Sequence, residues 1–181
     1  YATQTGVAEQ LAWRTATSLQ EAQQPTTVKP IQQLTEQDLQ QAVQVLFVIS
    51  TYGTGEAPDL AASFSKKLMQ QQLDLGQMQY AVLALGSKEY PDSYCSFGYA
   101  VDAWLKQCKA QPLFDLIEVD NANATDIQRW NQGLSVVTQH ELHAMNIEKV
   151  FDQWTLSERT LLNPDSLGQA AYNIELTSAS D

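Results

Sequence analysis

Three short stretches hold the residues whose types and spacing suit chemistry, and they combine hydroxyls, glycines and aromatics rather than acid–base pairs. The first is Thr3-Gln4-Thr5-Gly6-Val7-Ala8, placed just ahead of a helical pattern. A helix start carries unpaired N–H donors and the positive end of the peptide dipole, so a phosphate fits there. The dipole contributes about 0.3–1 kcal/mol, or ~2 kcal/mol when partly buried. No Lys or Arg lies in the stretch, the nearest being Arg14, which argues against the G-x-x-x-x-G-K-[ST] loop of a nucleotide triphosphatase. A phosphate monoester held by neutral donors suits these residues; so does an ordinary capped helix with a glycine in a tight turn.

The second stretch is Ser50-Thr51-Tyr52-Gly53-Thr54-Gly55-Glu56-Ala57-Pro58-Asp59, directly after the apolar run 43–49. Its two glycines permit close backbone approach to a ligand. An exposed loop aromatic such as Tyr52 is unfavourable unless it covers something, and stacking on a planar ring is worth about 0.5–1.5 kcal/mol beyond burial. A surface turn with one incidental Tyr is the alternative. The third stretch runs Leu85-Gly86-Ser87-Lys88-Glu89-Tyr90-Pro91-Asp92-Ser93-Tyr94-Cys95-Ser96-Phe97-Gly98. Tyr90 suits the opposite face of the same ring; equally, a long loop can pack its own aromatics against the domain.

These stretches need elements to position them. Residues 5–21 carry an apolar stripe begun by Val7, Leu11 and Ala12 and predict a helix capped by Thr5-Gly6. An edge strand is expected between Pro25 and Pro30, and a short helix over 35–42. The near-continuous apolar runs 43–49 and 80–85 predict strands buried on both faces, with a third strand over 113–119. Helices are expected over 59–72, 98–110 and 124–144, the last containing Trp130. A further strand is expected just before Tyr1, so the chain reads as a piece of a longer one. The alternation predicts an α/β fold: a doubly wound, parallel five-stranded sheet with helices on both faces. In such sheets ligands sit beyond the carboxyl ends of the strands, at the switch in strand order, which is where the three stretches lie. After about residue 147 the alternation stops. Asn163-Pro164-Asp165 signals a turn and 171–176 a strand, so 1–147 reads as one domain and 148–181 as a linker and the opening of another.

Composition narrows the partners. The 181 residues include 44% apolar types, enough for one core, and 10 Lys and Arg against 21 Asp and Glu, a net charge of -11. Such a surface repels nucleic acid and anionic lipid; it steers basic partners or simply keeps the protein soluble. Cys95 and Cys108 have neither zinc nor disulfide-scaffold spacing, making a reducing cytoplasmic setting the default. No run approaches the roughly 20 apolar residues of a membrane helix. His140 and His143, with Glu141 between them, lack a third metal ligand and read as a solvated helix face; no metal site is expected.

Taken together, the three loops describe a site for one phosphate and one sandwiched ring. Their order and spacing over residues 1–145 resemble the FMN domain of diflavin reductases, most of all the sulfite reductase flavoprotein group. The resemblance implies that Thr3, Gln4, Thr5, Gly6, Val7 and Ala8 hold the FMN phosphate. It implies that Tyr52 and Tyr90 flank the flavin, that Ser50, Thr51 and Gly53 contact its edge, and that Thr54 and Gly55 complete that loop. Leu85, Gly86, Ser87, Lys88, Glu89, Tyr90, Tyr94 and Cys95 would wrap the other side, and Asp120 matches an acidic position near the flavin. The third loop departs from the family pattern by one extra residue around Pro91-Asp92-Ser93, and by Ser87-Lys88 at its start. In residues 154–176, Trp154, Arg159 and Leu161-Leu162-Asn163-Pro164 resemble the opening of an FAD-binding reductase domain.

The resemblance implies an oxidoreductase part: FMN relays electrons from an NADPH/FAD module of the same full-length chain to a haem or metal-centre acceptor. The flavin carries the chemistry, so neither a general base nor a nucleophile is expected. Glu56, Asp59, Glu89, Asp92 and Asp120 would place negative charge around the ring and lower its potential. A stand-alone flavodoxin shuttle and a non-redox phosphate- or protein-binding module of the same fold are the rivals.

Overall fold

The computed structural model describes residues 1–142 and 153–178 and divides the chain into two compact units, 1–147 and 148–181. In the first, the two apolar runs become β1 (Gln44–Ser50) and β2 (Gln79–Gly86), paired in parallel from Gln44 beside Gln79 to Ser50 beside Leu85. Beyond β2, the short strands β3 (Gln111–Pro112) and β4 (Ile117–Asp120) both pair with it in parallel.

On the other edge of β1, Ala2 forms a parallel bridge with Ile49: Ala2 N–H donates to the Val48 carbonyl and Ser50 N–H to the Ala2 carbonyl, both at 2.9 Å. The Tyr1 nitrogen in turn donates to the Lys29 carbonyl, and Ile31 N–H to the Tyr1 carbonyl. Five chain segments thus lie side by side: 29–31, 1–2, β1, β2, and β3 with β4. The expected edge strand between Pro25 and Pro30 makes only this short pairing before the 3₁₀ turn Ile31–Gln33. Numbered along the chain, the segment order is 2-1-3-4-5, and the switch in direction falls between Ala2 and β1.

Strand periodicity divides the core in two. Phe47, Ile49, Tyr80, Val82 and Ala84 face one cluster with Leu39 of α2 (Glu36–Gln41) and Val101, Trp104 and Leu105 of α3 (Ser96–Gln107). Val48, Ala81, Leu83, Leu85, Ile117 and Val119 face the other, with Leu11 of α1 (Val7–Glu21) and Trp130 of α4 (Ala124–Thr138). Both faces of the central strands are therefore covered, which is why they read as continuous apolar runs. Gly98 lets α3 approach β2 closely, since a Cβ there would collide with the Ala84 side chain.

Several boundaries differ from expectation. The helix expected over 59–72 is a 3₁₀ turn, Asp59–Ala61, and a π turn, Phe64–Leu68. This path keeps Ala61 and Phe64 in the core, with Phe64 edge-on to Trp104 at 5.5 Å, and leaves Lys66 and Lys67 exposed. Of the strand expected over 113–119 only the second half forms, as β4; residues 113–116 link β3 to β4 outside any strand. There Phe114 packs against Gly133 of α4 and edge-on to Trp130. The helix expected over 124–144 ends at Thr138, whose Oγ1 donates to the Leu134 carbonyl, and Gln139 follows at φ 57. His140 therefore lies past the helix; His143 falls outside the described residues.

In the second unit, β5 (Trp154–Leu161) and β6 (Tyr172–Ser178) form an antiparallel hairpin. Its turn is organised by Asn163, whose Nδ2 donates to the Gln169 carbonyl and whose Oδ1 accepts from Ala171 N–H. Among the described residues no helix is long and apolar enough to cross a membrane.

Candidate functional site

The three loops leave the carboxyl ends of the Ala2 position, β1 and β2 and meet at the switch point. In the first, Gly6 takes a left-handed φ of 89 and its N–H donates to Thr3 Oγ1 at 2.9 Å. No side chain caps α1, so Thr5 is not the cap expected from its position, and Gln4 and Thr5 are exposed. The first-turn donors of α1 are thereby left to an external acceptor. Ala8 is fully buried beneath them and serves packing.

Gln4 ties this loop to the second one. Its Nε2 donates to Asp59 Oδ2 at 3.2 Å and its Oε1 accepts from Asp59 N–H at 3.1 Å. Within the second loop, Tyr52 and Glu56 exchange backbone hydrogen bonds, closing a tight turn around Gly53 (φ 56) and Gly55 (φ 119). The Glu56 carboxylate accepts from Thr54 N–H at 2.8 Å and Thr54 Oγ1 at 2.9 Å. Those bonds, the hydroxyl's first, hold Glu56 below the usual carboxylate range. Glycine suits position 53 because its φ of 56 is left-handed, a conformation that other residues rarely adopt. Tyr52 stands out of this turn, 50% exposed.

The second loop is anchored to its neighbours at two points. Thr51 N–H donates to the Leu85 carbonyl at 3.0 Å, and Thr51 Oγ1 accepts from Phe97 N–H at the start of α3 at 3.2 Å. Gly55 lies against Ser93 and Ser96 of the third loop. Ser50 is held in the sheet by its bond to Ala2.

In the third loop, Asp120 Oδ1 accepts from Lys88 N–H at 3.0 Å, and Ser87 Oγ accepts from Asn121 Nδ2 at 3.0 Å. Asp120 thus fixes the loop from the end of β4. Leu85 and Cys95 point into the core. The Cys95 thiol, directed at the Ala84 carbonyl, is pushed by burial up to about 11 and is a packing group. Gly86 closes against Tyr94 and Cys95. The Tyr94 ring lies under the Lys88 ammonium at 5.5 Å, and its buried hydroxyl has no hydrogen-bond partner among the described residues. Burial drives that phenol well above its ordinary value. Tyr90 is 63% exposed. Glu89 and Asp92 face solvent nearby.

These features together are a helix start with no side-chain cap and no cation in its loop, two exposed tyrosines on adjacent loops, and a frame of inter-loop hydrogen bonds. The flavodoxin family model matches residues 1–130. The chain belongs to the flavodoxin family. It is 27% identical to a flavodoxin from Streptococcus pneumoniae, with a TM-score of 0.65 over 73% of this chain and 90% of that one. Among curated proteins it is 32% identical over 126 residues to an inducible nitric oxide synthase of Oncorhynchus mykiss, covering 70% of this chain and 26% of the relative. It is 28% identical over 135 residues to a sulfite reductase [NADPH] flavoprotein alpha-component of Bacillus subtilis, covering 74% of this chain and 22% of the relative. The chain spans about a quarter or less of the length of these curated relatives.

The family implies FMN binding, and the loops of this flavodoxin domain fit that group. The space beside Gly6 is open, with nothing within 4 Å of a Cβ built there, and the neighbouring donors are neutral. Sequence reasoning found the loops but not the Gln4–Asp59 pair, the Thr51–Phe97 bond or Asn121. A signal existed for Asn121 alone: an Asp-Asn pair ending a strand favours local side-chain bonding. Among the described residues no group of three His, Cys, Asp or Glu side chains is placed to hold a metal ion.

Proposed function

We propose that this domain binds FMN and relays electrons from an NADPH/FAD reductase module of the same polypeptide to a haem or metal-centre acceptor. The observation that carries the reading is the pair of exposed tyrosines, Tyr52 and Tyr90, on loops that converge at the switch in strand order. Bound FMN supplies one-electron redox chemistry. The residues of this chain hold and tune it. Residues 3–8 receive the phosphate at the start of α1. Tyr52 and Tyr90 flank the ring, and Thr51 and Gly53 line its edge. Glu56 stays ionised beside it, and Asp59, Glu89 and Asp92 add negative charge that disfavours an anionic reduced ring.

The hairpin supports a following reductase domain. Trp154, Leu156, Leu161, Tyr172, Ile174 and Leu176 share one face by register, and each is between 40% and 57% exposed. Arg159 stacks on Tyr172 at 3.8 Å on that face. A two-stranded hairpin is marginal by itself, so such a face calls for a covering domain. The full-length protein would then be an NADPH-dependent diflavin reductase in a cytoplasmic setting, with FAD and NADPH bound outside residues 1–181.

The test is the absorbance spectrum of the purified protein with mass spectrometry of the released cofactor. Flavin bands and the mass of FMN are expected. A colourless protein that takes up no FMN on titration would overturn the reading and favour a non-redox module. Tight FMN binding by a full-length protein with no reductase domain would favour a free shuttle instead.

A further inference from the structure

β4 ends on Asp120, and the two residues after it hold an uncommon conformation. Asn121 (φ 46) and Ala122 (φ 58) are both left-handed, which is costly for residues other than glycine and only partly eased for Asn. Backbone bonds pin them there. Asn121 N–H donates to the Gly86 carbonyl at 2.9 Å, and Asn123 N–H to the Asp120 carbonyl at 2.8 Å. Asn123 Oδ1 then accepts from Thr125 and Asp126 N–H at the start of α4. This turn brings the Asn121 side chain back onto the third loop, with Nδ2 at 3.3 Å from Asp120 Oδ1 and 3.0 Å from Ser87 Oγ.

The polarity of these contacts follows from one group. A carboxylate only accepts, and Asp120 Oδ1 already takes Lys88 N–H at 3.0 Å. The side of the Asn121 amide that faces it is therefore the nitrogen. The same nitrogen faces Ser87, so Ser87 Oγ accepts from it, and Glu89 N–H donates to that oxygen too, at 3.3 Å. A hydroxyl oxygen has two lone pairs, and both are now used. The Ser87 hydrogen is left to donate, and no acceptor for it stands among the described residues. Ser87 follows Gly86 at the carboxyl end of β2, in the loop that carries Tyr90. β1 stands between β2 and Ala2, so at ~4.8 Å per strand Ser87 is about 10 Å from the line on which the Thr3–Ala8 loop departs. A phosphate at the start of α1 is out of its hydrogen-bond reach, which leaves a ring held by Tyr90 as the acceptor.

We propose that Asn121 is a positioning residue: held by Asp120, it commits the Ser87 hydroxyl to donate to a carbonyl oxygen or ring nitrogen on the edge of the bound ring. The inference rests on the reading of the site as one for FMN. Such a donor does more than orient. An acceptor atom that gains electron density on reduction takes a stronger hydrogen bond. Ser87 therefore favours the reduced ring, in opposition to the surrounding carboxylates. Without Asn121 the hydroxyl would rotate among partners, and the donor would be less available.

The test measures affinity for FMN, oxidised and after reduction by dithionite, in wild type, Ser87→Ala, Asn121→Gly and the double variant. Glycine is chosen because it adopts a φ of 46 freely. Ser87→Ala is expected to weaken oxidised FMN by about 3- to 10-fold and reduced FMN by roughly 5- to 10-fold more. Asn121→Gly should lose less, in the same direction, and the double variant should match Ser87→Ala alone, because the two act through one hydrogen bond. Ser87→Thr keeps the donor and should stay near wild type; a loss as large as alanine's would point to packing and overturn the proposal. Riboflavin, which has no phosphate, should lose the same factors, whereas a loss confined to FMN would move the hydroxyl to the phosphate and overturn it too. So would equal losses for oxidised and reduced flavin, or additive losses in the double variant. Unchanged affinities in Ser87→Ala sink the proposal and leave the cofactor reading intact, while wild type that takes up no FMN sinks both.

Discussion

Gln4 and Asp59 are joined by two hydrogen bonds, Nε2 to Oδ2 at 3.2 Å and Asp59 N–H to Oε1 at 3.1 Å, and so lock the Thr3–Ala8 loop to the loop that carries Tyr52. Each bond is exposed and worth about 0.5–1.5 kcal/mol. Gln4→Ala is expected to weaken FMN binding by roughly 5- to 10-fold by loosening the relative placement of the two loops, with the fold intact. Fluorescence titration with FMN and far-ultraviolet circular dichroism check this; unchanged affinity would show that the pair does not position the site.

Tyr52 and Tyr90 should each contribute stacking of about 0.5–1.5 kcal/mol beyond burial, so Tyr52→Ala and Tyr90→Ala should each weaken FMN by about 3- to 10-fold. Flavin fluorescence, quenched by an adjacent phenol ring, should recover in both variants. If neither affinity nor fluorescence moves, the sandwich is wrong.

Trp130 Nε1 donates to Thr15 Oγ1 at 3.1 Å inside the second core cluster, linking α4 to α1. Thr15→Val leaves that buried N–H unpaired and should cost about 1–3 kcal/mol, whereas Thr15→Ser keeps the acceptor and should cost less. Urea unfolding midpoints of the two variants decide the matter, an equal loss pointing to packing instead.

Asp38 closes a capping box with Thr35 and pairs with Lys29 Nζ at 2.8 Å. Lys29 first, then Thr35, lower its pKa to about 2. The folded value lies below the ~3.9 of an unfolded Asp, so the stabilisation is present above about pH 4 and is lost as pH falls toward 2. Wild type should exceed Asp38→Asn in stability at pH 7, and the gap should close between pH 4 and 2. A gap that persists at pH 2 would contradict the assignment.

The Cys95 thiol, raised to about 11 by burial, should resist alkylation in the native protein at pH 8 and react only on unfolding. Timed thiol labelling with and without urea measures this.

The apolar runs 43–49 and 80–85, read alone, determine two parallel strands buried on both faces. The loops after them, with the Thr3–Ala8 loop, carry the residues from which a phosphate-and-ring site is expected, because periodicity and turn chemistry are local properties of the chain. The alternation of elements likewise carries the doubly wound fold. The break of the expected helix at 59–72, the late start of β4 beyond Phe114 and the end of α4 at Thr138 were decided by packing against other elements, to which local propensity is blind.

Likewise the frame of the site depends on partners far apart in sequence: Gln4 with Asp59, 55 residues on, Thr51 with Phe97, 46 on, and Lys88 with Asp120, 32 on. Glutamine, threonine and aspartate are ordinary surface residues at those positions, and nothing in their spacing marks them as partners. Asp120, expected near the flavin from the resemblance, is seen to hold the third loop through Lys88 N–H. Only the closing of the sheet brings these groups within hydrogen-bond distance.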